Sequence, residues 1–326
     1  MKIALTGAAG HLGAAVMQEL LARNFHVKAL VKNDARAVQG LPVEIVAGDI
    51  LNAGSLIKLL DGCQALIHCA AVISVNGDPD GMVHRTNAEG TKLVMQAARQ
   101  AGIKRVIHIS SVHAYQQKPA FEMLDENRLQ VNERAFAYDR SKKMGQEIAL
   151  SFNSPEMEVL VMNPTSIVGP YDYKPSKMGK VLVDLYTGRL PFIFNGGFDF
   201  CDCRDVSNAV VNGLTMGRPG NNYLLGGKWY SLKQLAALFS TASQKKISPI
   251  NLPHIAGTAG LPVVKLLSRF NKKEPLYTTE ALAALFTGNR FISSARAVQE
   301  LDYKARPFEE TLRDAFLWFK NKGYLV

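Results

Sequence analysis

Tyr138 and Lys142 frame the run Tyr138-Asp-Arg-Ser-Lys142, a spacing that puts both side chains on one face of a helix. A free phenol titrates at about 10 and is a poor acid-base at neutral pH. An ammonium one turn away favours the phenolate, so the spacing predicts a lowered Tyr138 pKa and a group able to pass a proton to or from a carbonyl or alcohol. Taken alone, Tyr-x-x-x-Lys is common as a surface pair. Its weight comes from two other features, the serines Ser110-Ser111 that close an apolar run and a glycine turn at the start of the chain.

That turn reads Thr6-Gly7-Ala8-Ala9-Gly10-His11-Leu12-Gly13, after the short apolar run Ile3 to Leu5 and before a periodic segment, Ala14 to Arg23. Strand, tight turn and helix start bring backbone N–H groups and a positive helix end against a phosphate. Gly7 permits the turn, Gly10 lets a pyrophosphate approach, and Gly13 lets the helix sit close to the sheet. The spacing G-x-x-G-x-x-G departs from the G-x-G-x-x-G dinucleotide fingerprint, and a glycine turn with no ligand is the alternative.

Strands and helices then alternate. Further strands are expected at His26 to Val31, Val43 to Val46, Ala65 to Ala71, Arg105 to Ser111 and Glu158 to Met162. Helices are expected at Ser55 to Leu60, Asn87 to Ala101 and Tyr138 to Phe152. Parallel neighbours need crossovers, so this alternation predicts an α/β fold, a Rossmann-type doubly wound parallel sheet with ligands beyond the carboxyl ends of its strands. At those ends, Lys32 or Arg36 could meet a 2′-phosphate, although a solvated lysine is the plainer reading. Asp49, followed by Ile50, could accept from an adenine amino group or simply cap a turn. Ala70 and Ala71 leave room for a cofactor, and His68 and His108 lie inside apolar strands as core histidines.

Together these pieces resemble the extended short-chain dehydrogenase/reductases, the NAD-dependent epimerase/dehydratase family. Thr6 to Gly13, Asn87-Ala-Glu-Gly-Thr91, Ser110-Ser111, Tyr138-x-x-x-Lys142 and Asn163-Pro164 occur in that family's order, over essentially the whole chain. The resemblance implies that Tyr138 is the acid/base, that Lys142 binds the nicotinamide ribose and tunes it, and that Ser111 rather than Ser110 holds the substrate oxygen. It implies a cofactor site of Gly7, Ala9, Gly10, His11, Leu12, Gly13, Lys32, Asp49, Ile50, Ala70, Ala71, Asn87, Tyr138, Lys142, Pro164, Thr165 and Ser166. The dihydroflavonol-reductase and aldehyde-reductase-like branch, which carries Val-Arg where this chain has Val31-Lys32, is the nearest likeness. NADP(H) is therefore favoured, with NAD(H) the alternative. The implied activity is NADP(H)-dependent reduction of an aldehyde or ketone, or the reverse alcohol oxidation. A nucleotide-sugar epimerase or dehydratase and a non-catalytic NADP-binding redox sensor are the competing readings. A homodimer through the helices after Asn87 and Tyr138 is a family-based expectation.

The alternation stops at Gly169. Residues 1–168 and about 201–228 are expected to form the dinucleotide-binding domain, and 169–200 with 229–326 a smaller substrate lobe. His113, Tyr173, Met178 and Phe200 could line a mainly apolar substrate pocket, and Lys174, Lys177 or Arg204 could meet an anionic group. Cys201 and Cys203 read as alternating along a strand. In a chain of 326 residues with four cysteines, buried thiols are expected rather than a disulfide framework or a metal site.

The net charge of +10 falls unevenly, 17 Lys/Arg against 16 Asp/Glu in residues 1–165 and 21 against 12 in residues 166–326. The basic residues are scattered without interleaved aromatics, which argues against nucleic acid and for a small-molecule partner. Pro262 to Phe270 could form a basic amphipathic surface, with a lobe-packing helix the stronger alternative. No apolar run reaches the ~18–20 residues that span a bilayer. The first strand begins at residue 2 with no leader before it, and a cytoplasmic protein is expected.

Overall fold

The computed structural model describes residues 1–255 and 277–325, so the segment Pro262 to Phe270 lies outside the described residues. Twelve strands are named here in chain order. β1 is Lys2–Thr6, β2 His26–Val31, β3 Glu44–Ala47, β4 Ala65–His68, β5 Arg105–Ile109 and β6 Glu158–Pro164. β7 is Ser166–Val168, β8 Phe192–Phe194, β9 Gly197–Asp202, β10 Asn222–Leu225, β11 Lys228–Ser231 and β12 Ile250–Leu252.

Seven of them form one parallel sheet in the order β10-β6-β5-β4-β1-β2-β3. Successive side chains of a strand point to opposite faces, and each face has its own core. Ile3, Leu5, Ile67, Ile107 and Met162 pack beneath the helices His11–Ala22 and Cys203–Asn212. Ala4, Leu66, Val106 and Val159 pack beneath the helices Ala53–Leu60, Thr91–Gln100 and Ala137–Ser151. Burial on both faces explains why these strands read as continuous apolar runs. The order reverses between β1 and β4, which opens a crevice at their carboxyl ends.

The aromatic stretch after Leu190 builds something else. β7, β9 and β11 form a three-stranded sheet, and β8 pairs with β12. Their side chains share a further core with the helices Lys177–Tyr186, Leu232–Ser243, Thr279–Thr287 and Phe308–Asn321. The expected Cys201–Cys203 strand alternation is not found. Asp202 ends β9 and caps a helix by accepting from the Arg204 N–H, so Cys203 opens that helix. All four thiols are free. No helix among the described residues is long and apolar enough to cross a membrane.

The expected helix from Asn87 opens as a wide π-type turn, Arg85–Gly90, before Thr91–Gln100. A Cβ on Gly145 of the neighbouring helix would lie 2.5 Å from the Asn87 carbonyl oxygen, so the two backbones meet where only glycine fits.

The strand histidines are buried in the sheet, with ring centroids 5.2 Å apart. His68 reaches Thr6 Oγ1 at 2.6 Å and Thr91 Oγ1 at 3.1 Å, whereas neither His108 nitrogen has a hydrogen-bond partner. Burial, then the Lys142 charge, drives His68 down to about 3; burial, then His68 and Lys142, holds His108 well below its ordinary value. Both stay neutral in the fold but ionise once unfolded. Their stabilisation is therefore complete above about pH 6.5 and is lost as pH falls toward the folded values, at about 1.4 kcal/mol per pKa unit. His108→Leu is expected to raise Tm at pH 5 by several degrees, with a smaller gain at pH 8, in calorimetric scans. A gain independent of pH would remove His108 from the acid response.

Candidate active site

Gly7 follows β1 with φ +71°, and the Gly10 N–H closes the turn on the Gly7 carbonyl at 2.9 Å. The helix His11–Ala22 has Gly10 as its N-cap, with no side-chain cap and no acid in its first turn. Other helices of this chain are capped by Asn52, Ser176, Ser231 and Thr278. A positive helix end left without side-chain oxygen suits a phosphate.

The glycines divide the work. A Cβ on Gly13 would stand 2.0 Å from the Gly7 oxygen, and one on Gly7 would stand 2.6 Å from the Ala70 nitrogen. At Gly10 a Cβ would meet only the Gly7 carbonyl oxygen, at 3.3 Å, so that position is the least crowded of the three. The cradle is thus close-packed against the sheet and less crowded at Gly10, and it fits a dinucleotide pyrophosphate. Within it, His11 donates from Nε2 to the Pro170 carbonyl at 2.9 Å, tying the turn to the loop after β7.

Beyond β2, Lys32 pairs with Asp49 at 2.7 Å while remaining half exposed. Arg36 forks onto both Asp34 oxygens and holds that carboxyl down at about 2. Asp49 also accepts from the Leu51 N–H, which is its turn role, and Ile50 is buried against Gly90. β4 ends at His68, so Ala70 and Ala71 lie past the strand, with Ala70 N–H on Thr6 Oγ1. Both ends of the Asn87 amide are engaged. Its Oδ1 accepts from Val72 N–H, and its Nδ2 donates to Val72 O and Ser141 Oγ. Asn87 therefore braces the Ala70–Val72 segment. Pro164 ends β6, and Thr165 and Ser166 lead into β7, with Thr165 N–H on the Leu225 carbonyl.

Ser111, buried just past β5, has its hydroxyl near the Tyr138 phenol and accepts from the His113 N–H at 3.2 Å. Ser110 instead turns inward and donates to the Lys142 carbonyl. Burial pushes the Tyr138 phenol up to about 12; the nearby Ser111 hydroxyl pulls it down, but by less, and the Asp139 charge adds to the rise. Burial likewise brings Lys142 down to about 8, and its Nζ donates to the Ile109 carbonyl at 2.7 Å. The lowered Tyr138 pKa expected from the spacing is thus corrected. The two side chains share a helix face, but the ammonium is directed at the β5 terminus, and desolvation governs the phenol.

Of the four expected pocket residues, only His113 stands at this cluster, with its ring edge-on to Tyr138 at 5.7 Å between centroids. Phe200 is buried and stacks on Phe308 at 5.0 Å, because it points inward along β9. Tyr173 packs on Trp318 and Lys322 of the C-terminal helix region, and Met178 packs on the core around Leu182 and Phe319. Arg204 is committed to Asp202 and Asp314. The pattern reading passed over Asp139, which bonds His113 Nδ1 at 3.0 Å, and the buried Asn163–Gln146 bond of 2.7 Å behind Ser111. Asp139 lay inside the Tyr138–Lys142 run, but its partner is 26 residues upstream, outside any helical spacing.

Comparison with known proteins agrees with this geometry. The family model described as "NAD dependent epimerase/dehydratase family" matches residues 3–226. The chain is 30% identical to sterol demethylase protein B of Methylococcus capsulatus, covering 100% of both chains. It is 31% identical to a putative dihydroflavonol 4-reductase of Synechocystis, covering 98% of this chain and 95% of the relative. It is 26% identical to the 4-hydroxy-2-methyl-3-oxo-4-farnesyl-3,4-dihydroquinoline-1-oxide ketoreductase of Stigmatella aurantiaca, covering 97% and 95%. The crystal structure of gox2253 superposes with a TM-score of 0.84 at 28% identity, covering 100% of this chain and 99% of that one. With a Rossmann-type sheet, a glycine cradle and reductases among its relatives, the chain belongs to the NAD-dependent epimerase/dehydratase family, the extended short-chain dehydrogenase/reductases.

Proposed function

We propose that the protein is an NADP(H)-dependent ketone or aldehyde reductase, running in reverse as an alcohol dehydrogenase. The observation that carries this is the placement of the Ser111 hydroxyl beside the Tyr138 phenol, with the Lys142 ammonium beside the same β5 terminus. Gly7 to Gly13 and the helix end at His11 would hold the pyrophosphate, Ala70, Ala71 and Pro164 to Ser166 would line the nicotinamide side, and Lys142 would meet its ribose. Bound there, the nicotinamide supplies hydride to the carbonyl carbon. Ser111 holds the carbonyl oxygen, and Tyr138, kept a phenol through the neutral range, gives that oxygen its proton. The Lys142 charge then offsets the phenolate left behind. Residues 1–168 with about 201–228 would bind the dinucleotide, and the remainder would close over the substrate.

The Stigmatella relative's name describes a hydroxyl on the carbon next to a ketone. A ketone with a neighbouring hydroxyl is the substrate class we take from it. The test is to titrate NADPH and NADH and follow cofactor oxidation over matched aldehydes and ketones. Turnover with NADPH is expected; NAD retained through purification without such turnover would favour the epimerase reading instead. Lys32→Ala is expected to lower the NADPH/NADH preference about tenfold, since the lost cation stands just past β2, where a 2′-phosphate would be met. An unchanged ratio would leave Arg36 to supply that charge.

A further inference from the structure

His113 sits in the short turn Val112–Ala114, two residues after Ser111, and its backbone N–H is already bonded to the Ser111 hydroxyl. Its ring lies edge-on to the Tyr138 ring, and its backbone stands at the Ser111 hydroxyl, so it borders the pair that would meet the substrate oxygen. Asp139 fixes the ring by accepting from Nδ1 at 3.0 Å, and the imidazole is about one-third exposed. Asp139 stands in the first turn of the helix Ala137–Ser151, where the helix dipole favours an acid. With Nδ1–H committed to Asp139, the neutral ring carries its lone pair on Nε2, which has no protein hydrogen-bond partner among the described residues.

We propose that His113 Nε2 recognises the hydroxyl on the carbon next to the reacting carbonyl, with Asp139 as the positioning residue that fixes its tautomer. Resting on the reductase reading above, this makes the enzyme selective for 2-hydroxyketones over the corresponding plain ketones. A site built to hydrogen-bond a hydroxyl discriminates strongly against the analogue that lacks it, because its own polar group is then left unpaired. His113→Phe keeps a ring against Tyr138 and removes both nitrogens. Asp139→Ala keeps the imidazole and frees its orientation.

The experiment measures kcat/KM with NADPH, and in parallel with NADH, for 2-hydroxy-1-tetralone and 1-tetralone in wild type and both variants. The wild-type ratio is expected to favour the hydroxyketone at least tenfold. That ratio should fall to near one in His113→Phe, through KM more than kcat, and to an intermediate value in Asp139→Ala. Equal losses on both ketones, or an unchanged ratio in His113→Phe, would overturn the assignment while leaving the reductase reading intact. A wild-type ratio near one would do the same. Turnover of neither ketone with either cofactor would defeat the reductase reading, and the assignment with it.

Discussion

Tyr138→Phe is expected to lower kcat by about 10²–10⁴, the range that a positioned general acid contributes, while NADPH affinity stays within about twofold. The substitution removes one oxygen from a ring that already rests against His113 and leaves Ser111 and Lys142 in place. Steady-state turnover and a direct nucleotide titration separate the two effects. Because the native phenol is pushed up to about 12, the reduction direction should hold its proton donor across the neutral range. Turnover at the wild-type rate would take Tyr138 out of the chemistry, and equal losses of affinity and rate would make it a structural residue.

Gly13→Ala should be as damaging by a different route. The new methyl would lie 2.0 Å from the Gly7 oxygen, 2.7 Å from the Gly7 carbonyl carbon and 3.0 Å from Ala8 Cα, all backbone atoms that cannot rotate away. Overpacking of this kind costs about 1–3 kcal/mol and would lift the helix His11–Ala22 off its turn. A fall in Tm of several degrees and a loss of nucleotide affinity of about 100-fold or more are expected together. Gly10→Ala is the control, since its nearest atom would be 3.3 Å away. It should lower Tm less than Gly13→Ala while still weakening nucleotide binding. A Gly13→Ala protein with native Tm and native affinity would show that close approach at this point is dispensable.

Much of the sheet was legible because strands buried on both faces are written as apolar runs, as in Ala65–His68 and Arg105–Ile109. The glycine turn was legible because its spacing reflects backbone collisions, which local sequence encodes. β10 was not, being the four residues Asn222–Leu225 between turns, with partners on β6 far upstream. Phe200 shows the same limit. An aromatic in a turn-rich stretch suits a pocket or a core equally, and only the register of β9 against β11 and β7 decides. At the site, helical spacing gave Tyr138 and Lys142 a common face but could not say where the ammonium would find its acceptor. The Ile109 carbonyl that takes it belongs to β5, a tertiary neighbour. His113 and Asp139 met for the same reason, through the packing of a turn on a helix end.

The late arrival of β10 bears on how the chain is made. β6 pairs on one side with β5, but its other side waits for Asn222–Leu225, after β7, β8 and β9 have been laid down elsewhere. Until then Val159, Leu160, Val161 and Met162 form a sticky margin with unsatisfied backbone groups, later capped by Gly220 N–H on the Val159 carbonyl and Val161 N–H on Asn221. An emerging polypeptide that stalls short of residue 222 carries that margin bare, open to pairing with another nascent copy. The seven-stranded sheet is thus complete only once synthesis has passed β7, β8 and β9, so C-terminal truncations upstream of Asn222 should aggregate rather than yield a folded fragment.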